Sequence, residues 1–290
     1  MRGEHLIREV FGESDSDDDA DALTARPHHP IPPLTTDCVV ESPLGVDGMI
    51  VAREALGADA QAWLLRAIRA DDLVDFPDDE SNAAEEEAAS EGDGIAQRRR
   101  NQAMRFGRKH LPWWALALAD AIAHLAARPT GDGDDSTYTI FPPEVLARGD
   151  TKRHVFDQMI VNNYVPGDGL TPHIDLHAFA DGVAVVSLQS AVVMDMYPPA
   201  VCGVPNSERG MEYETSYPVW LDPGDVLFLS GDARWRWRHG IAKRRHDPPR
   251  GWSPIANSPS GAGSWVERGF RTSVTLRAMR EDGHELKVPA

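Results

Sequence analysis

The second half of the chain constrains the fold most. From about Val155 onward it breaks into short β-rich runs separated by Gly and Pro: "FDQMIVNNYV", "GVAVVSLQSAVVMDMY", "GDVLFLSG", "RWRWRHGI" and "RGFRTSVTLRAM". Runs of this length, bounded by turn formers, suit an antiparallel sandwich or jelly roll with helices outside it. Ahead of them, from Cys38 to about Ala127, the pattern is helical. "AREALGADAQAWLLRAI" puts Leu56, Trp63, Leu64 and Ile68 near helical spacing, and "WWALALADAIAHLAA" offers a second apolar face. The expectation is an α+β chain, a double-stranded β-helix (jelly roll) with flanking N-terminal helices. His124 falls on or near the apolar face of the second helix and reads as a core or boundary histidine rather than a ligand.

The formal net charge of −17 argues against indiscriminate nucleic-acid binding. The charge is uneven. Acid is concentrated in "GESDSDDDADA" (residues 12–22) and "DFPDDESNAAEEEAASEGDG" (residues 75–94), whose composition predicts disordered or solvated segments. Residues 1–37 are therefore expected to be an acidic tail, in which His28 and His29 are a linker pair. Residues 38–290 are expected to form one domain with an acidic flexible insert near 75–97. Between Asp232 and Arg277, by contrast, Arg and Lys outnumber Asp and Glu, so this zone is expected to meet a polyanion.

Two cysteines, Cys38 and Cys202, are too few for a disulfide scaffold or a four-thiolate zinc site. The most apolar run, Leu111 to Ala127, is interrupted by Asp120 and His124 and is short for a membrane span. The expected setting is soluble and intracellular, in cytoplasm or nucleus.

Chemistry is concentrated in "TPHIDLH" (residues 171–177). In an extended strand His173, Asp175 and His177 point to one face. His173 and Asp175 can hold a metal only with a third ligand, and His239 in "RHGI" supplies it, with Gly240 beside it to allow a close approach. His177 lies further along beside Ala178 and Phe179, and His246 belongs to the basic stretch "KRRHDPP". Two imidazoles and one carboxylate occupy one face of a metal and leave the other open, the arrangement of non-haem iron(II) oxygenases; a structural zinc would take a fourth protein ligand.

The run "RTSVTLR" adds a second element. Arg271 and Arg277 are an even interval apart, so a regular strand puts both on one face with Ser273 and Thr275 between them. Asn162 and Tyr164 in "VNNYVPG" share a face in the same way. Arginine forks match carboxylates, and hydroxyl groups add hydrogen bonds, so a dicarboxylate pocket such as one for 2-oxoglutarate is expected.

Taken in order, "NNYVPGDGLTPHID", "RHGI" and "RTSVTLR" resemble the AlkB family of iron(II)- and 2-oxoglutarate-dependent dioxygenases over about Phe156 to Met279. "PHIDLHAFADG" and "RTSVTLR" look closest to the oxygenase domain of the tRNA wobble-uridine hydroxylase branch. The resemblance implies that His173, Asp175 and His239 bind iron and that Arg271 holds the distal carboxylate of 2-oxoglutarate. Asn162, Tyr164 and Arg277 would be further contacts. Ser273 stands where repair-type members usually have Asn, a departure from the DNA-repair pattern.

The implied reaction couples decarboxylation of 2-oxoglutarate by O2, giving succinate and CO2, to hydroxylation of a substrate C–H bond. A hydroxylated heteroatom-bound methyl group is then lost as formaldehyde. The expected substrate is a nucleic-acid base, a modified wobble uridine of tRNA first. Alkylated DNA or RNA, a protein side chain, or a catalytically idle binding module are the alternatives. Neither an RNP motif nor a glycine-rich cofactor motif is evident, so a separate partner, such as a methyltransferase, is expected to supply RNA capture or the preceding modification. Trp235 and Trp237 share strand parity with His239 and offer either core packing or a surface for stacking on a base. Arg105, Arg108 and Lys109 offer a lid with phosphate contacts or solvated helix-end charge.

Overall fold

The structure is a computed structural model and describes residues 30–35, 38–77, 99–130, 138–150, 154–199, 216–249 and 264–280. The acidic stretch 12–22, most of the 75–97 insert, His28, His29 and Cys202 lie outside these residues. In chain order the strands are β1 (Val40–Glu41), β2 (Met49–Ala52), β3 (Gln102–Phe106), β4 (Pro129–Thr130), β5 (Tyr138–Thr139), β6 (Gln158–Tyr164), β7 (Leu170–His173), β8 (Val183–Leu188), β9 (Val192–Tyr197), β10 (Tyr217–Leu221), β11 (Val226–Leu229), β12 (Arg238–Ile241), β13 (His246–Asp247), β14 (Val266–Glu267) and β15 (Arg271–Arg277). The helices are α1 (Ala58–Ala70), α2 (Trp113–Ala126), α3 (Pro143–Leu146) and α4 (Gly231–Trp235).

Seven strands form a major sheet in the order β1-β2-β11-β8-β15-β6-β3, and four form a minor sheet in the order β10-β9-β12-β7. The pairings are antiparallel. Alternation along the major strands explains the layers. Ala184, Val186, Val226, Phe228, Val274 and Leu276 face one way, into a cluster completed by α1 and α2. Their neighbours Val183, Val185, Leu227 and Leu229 face the other way and meet Val192, Met194, Val219 and Leu221 of the minor sheet. Both faces of β8 are thus covered, which is why "VAVVSL" carries no polar alternation. Each such side chain, fully buried, contributes about 1.5–3 kcal/mol.

On α1 the buried residues Ala60, Leu64, Ala67 and Ile68 recur at helical spacing. Leu56 belongs to the same core but not to the helix. Its N–H donates to the Gly224 carbonyl at 3.0 Å, and Gly224, at φ +93°, approaches so closely that a β-carbon there would stand 2.4 Å from the Leu56 oxygen. On α2 His124 is exposed, with Nδ1 against the Asp120 carbonyl at 2.7 Å, so it lies outside the core boundary expected for it. Within the expected N-terminal tail, Ile31 and Leu34 pack against the helical core, and the Thr35 N–H donates to the Ala55 carbonyl at 2.9 Å.

The run "RWRWRHGI" is not one strand. Its first part closes α4, held because the Ala233 N–H donates to the Asp47 carbonyl at 3.0 Å and the Gly231 N–H donates to the Asp181 carboxylate at 3.1 Å. Strand parity with His239 therefore does not reach Trp235.

A buried carboxylate locks the β10–β11 turn to the end of β2. Asp225 is fully buried; it accepts from the Glu54 N–H at 2.9 Å, the Asp222 N–H at 2.8 Å and Arg53 Nη1 at 2.6 Å. Removing it leaves two backbone amides without this acceptor and takes one carboxylate from Arg53, which keeps Glu41 and the Trp220 carbonyl. Asp225→Ala is expected to lower stability by about 2 kcal/mol, read as an earlier urea midpoint with an unchanged slope.

Candidate metal centre and cosubstrate pocket

Between the sheets the apolar inner layer gives way to a polar patch built by β6 and β15. Their register pairs Arg271 with Tyr164, Ser273 with Asn162, Thr275 with Ile160 and Arg277 with Gln158. The residues expected to share a face are therefore direct cross-strand neighbours, and with His173, Asp175 and His239 they line one cavity. Val185, Met194 and Ile241 supply its apolar wall.

His173 ends β7 and lies opposite His239 of β12 in the ladder, with ring centroids 4.5 Å apart. Strand alternation does not place Asp175, because β7 stops at His173. The carboxylate is brought back by the loop that follows, and its Oδ1 lies 3.8 Å from His173 Nε2. One ligand atom from each of the three residues lies within 4.8 Å of the others. His177 and His246 are exposed and do not join this group; His177 stacks on Trp235 at 5.7 Å.

The protonation states suit a metal. His173 Nδ1 lies 2.9 Å from the Thr171 carbonyl, an acceptor that suits the tautomer with its proton on Nδ1 and Nε2 turned to a metal. Burial pushes His239 down to about 4, so its imidazole is neutral at physiological pH. For Asp175 burial acts to raise the carboxyl, but Arg277, then His239 and Arg234, outweigh it and hold the group below the usual carboxylate value.

Two arginines build this loop. Arg277 donates through Nη1 to Asp175 Oδ1 at 2.7 Å and through Nε to Gln158 Oε1 at 2.8 Å, and its guanidinium lies over the Phe179 ring at 3.7 Å. Arg234, 2% exposed, donates to the carbonyls of Asp175, Leu176 and Phe179 at 3.1, 2.8 and 3.1 Å. Its other face stacks on Trp235 at 4.2 Å. Sequence reasoning missed Arg234, Gln158 and Phe179. An arginine inside a basic run carries no mark of burial, and the partner of Arg277 depends on strand register.

Arg271 differs from both. It is 3% exposed; Nε donates to Ser187 Oγ at 3.2 Å, and Tyr164 lies beneath it at 5.3 Å. Its two Nη atoms are buried without a hydrogen-bond partner among the described residues. Burial pushes its pKa down. A buried guanidinium with an open fork, facing a cavity of hydroxyl and amide groups, fits a carboxylate. Asn162 accepts from Gln102 Nε2 of β3 at 2.6 Å, a second lining residue that the sequence did not reveal.

An antiparallel jelly roll that carries two imidazoles and a carboxylate beside a buried arginine defines a mononuclear metal oxygenase. The model of the 2OG-Fe(II) oxygenase superfamily matches residues 51–277. The chain belongs to that superfamily: it is a 2-oxoglutarate-dependent dioxygenase, with iron(II) as metal and 2-oxoglutarate as cosubstrate. Within the superfamily it is similar to ALKBH8 proteins, of which it spans less than two fifths. It is 36% identical over 134 residues to the tRNA (carboxymethyluridine(34)-5-O)-methyltransferase ALKBH8 of Macaca fascicularis, covering 44% of this chain and 18% of that protein. It is 34% identical over 139 residues to an alkylated DNA repair protein ALKBH8 homolog of Arabidopsis thaliana, covering 46% and 37%. Against a probable RNA/DNA demethylase ALKBH6 of Danio rerio the identity is 26% over 168 residues, covering 58% and 62%. Among solved structures, OsALKBH1 is similar with a TM-score of 0.42 at 15% identity, over 79% of this chain and 97% of that one.

If Arg277 orients the metal carboxylate, Arg277→Met is expected to weaken Mn(II) binding about 10- to 100-fold. Titration followed by electron paramagnetic resonance measures it; normal affinity in a folded variant would remove Arg277 from this role.

Proposed function

We propose that the protein oxidises an unpaired nucleic-acid base, with a modified wobble uridine of tRNA as substrate. The observation that carries the oxygenase part is the open fork of Arg271 in the same cavity as His173, Asp175 and His239. The substrate is supported by the 36% identity to a relative whose name specifies a tRNA activity, although the match takes in 18% of that relative. An unpaired loop base can enter a pocket without the cost of opening a duplex.

In this reading His173, Asp175 and His239 hold iron(II), Arg271 receives the distal carboxylate of 2-oxoglutarate, and Asn162, Tyr164 and Arg277 line the remainder. Iron(II) and 2-oxoglutarate, when bound, supply the oxidising power that inserts one oxygen atom of O2 into a substrate C–H bond. The protein orients the pair and excludes water with Val185, Met194 and Ile241. The modification that precedes oxidation falls to a separate partner such as a methyltransferase.

The expected basic surface needs revision. Arg234, Arg268, Arg271 and Arg277 are buried. Arg244 and Arg268 share the buried Asp247 at 2.8 and 2.7 Å, and Arg236 pairs with Asp232 at 3.1 Å. Part of the positive charge in this zone thus organises the interior, while Arg236, Lys243 and Arg245 are exposed, so fewer phosphate contacts and a shallower salt dependence than the charge count suggests are expected.

Arg271→Ala is expected to raise the 2-oxoglutarate requirement at least about thirtyfold; an unchanged requirement would place the cosubstrate elsewhere. Mass spectrometry of tRNA nucleosides from cells lacking the protein should show an altered wobble-uridine profile. An unchanged profile together with accumulated alkylated bases in DNA, or an unhydroxylated protein, contradicts the tRNA reading and leaves the dioxygenase chemistry.

A further inference from the structure

The minor sheet carries the metal-site histidines in a row that extends beyond them. Register pairs His173 with His239, His239 with Met196, and Met196 with Tyr217, so one line crosses β7, β12, β9 and β10. Side chains directly opposite in a ladder share a face. Met196 packs in the inner cluster between the sheets, so Tyr217 projects to the same side as both imidazoles. Two strand spacings separate it from His239, about 10 Å.

Tyr217 is 40% exposed, unusual for a large ring on the inner side of a sandwich. Its ring lies 5.9 Å from that of Trp237, tilted by 58°. Trp237 is half-buried against the inner cluster, and its backbone N–H donates to the Asp232 carbonyl at 3.3 Å. One ring is thus anchored by the core and the other is open beside the metal end of the sheet. Arg238 and Tyr197, one register step along, alternate to the opposite face of the sheet and pair there at 5.4 Å, so they take no part in this arrangement.

We infer that Tyr217 and Trp237 form a stacking subsite for an unpaired nucleobase flanking the one that is oxidised. The inference rests on the nucleic-acid reading of the site. Four arginines of the basic zone are buried and so are not offered to phosphates, and ring stacking adds affinity at this end of the sheet. Base–aromatic stacking tolerates any base and does not release counterions. An aliphatic protein segment would gain less from two tilted π faces than a planar base does.

The test is binding of a fluorescein-labelled anticodon stem-loop RNA to the full chain loaded with Mn(II) and 2-oxoglutarate, read by anisotropy at two salt concentrations. Tyr217→Ala should weaken binding about tenfold or more, by the same factor at both salts, while Tyr217→Phe keeps wild-type affinity. Trp237→Phe, which preserves a ring in the core, should weaken binding less than Tyr217→Ala. Thermal melting reports that each variant is folded. Wild-type affinity in Tyr217→Ala overturns the subsite and leaves the RNA reading intact. Equal losses in Tyr217→Ala and Tyr217→Phe also overturn it, by pointing to the hydroxyl instead of the ring. A wild-type protein that binds neither this RNA nor total tRNA overturns both.

Discussion

The ion pair between Arg277 and Asp175 joins the two sheets at the point where chemistry is expected. Arg277 ends β15 of the major sheet, and Asp175 follows β7 of the minor one. Both are almost completely buried, 2.7 Å apart. Withdrawing two charges from water costs several kcal/mol per ion, and their attraction offsets this only if the remaining hydrogen-bonding groups are satisfied. Gln158 and the Phe179 ring meet that condition on the Arg277 side, and Arg234 fixes the backbone of the loop that carries Asp175. The carboxylate is consequently ionised and fixed in place before any metal arrives.

The same constraint governs the rest of the cavity. A sandwich interior tolerates polar side chains only where each finds a partner, and the inner faces of β6 and β15 obey this at Gln158, Asn162 and Arg277. Arg271 breaks the rule: it is as buried as its neighbours, but both Nη atoms lack a partner among the described residues. An orphaned guanidinium fork costs stability unless an anion completes it. That cost is the physical argument for a carboxylate ligand, and it stands independently of the metal ligands.

Much of this was legible in the sequence, for identifiable reasons. The even spacing of Arg271 and Arg277 gave their common face because β15 is a regular strand through both. The convergence of His173 and Asp175 was also anticipated, but the strand periodicity invoked for it ends at His173, and Arg234 and Arg277 hold the loop instead. Periodicity failed in "RWRWRHGI", where carboxylate and carbonyl groups of distant segments impose a helical turn. Charge counting failed for the basic zone because composition cannot separate an exposed arginine from one that neutralises a buried aspartate, as Arg268 does for Asp247. Register-dependent partners such as Gln158 and Tyr217 were invisible without the fold.

In the proposed function His173, Asp175 and His239 hold iron(II) beside a 2-oxoglutarate whose distal carboxylate lies on Arg271. Anaerobic titration of 2-oxoglutarate into the iron(II)-loaded protein tests it most directly, through the visible charge-transfer absorption that appears when a 2-oxo acid coordinates iron(II). The account predicts a saturable band in the wild type, no band in folded His239→Ala, and a band in Arg271→Ala only at much higher 2-oxoglutarate. A band of normal amplitude and midpoint in both variants would contradict it.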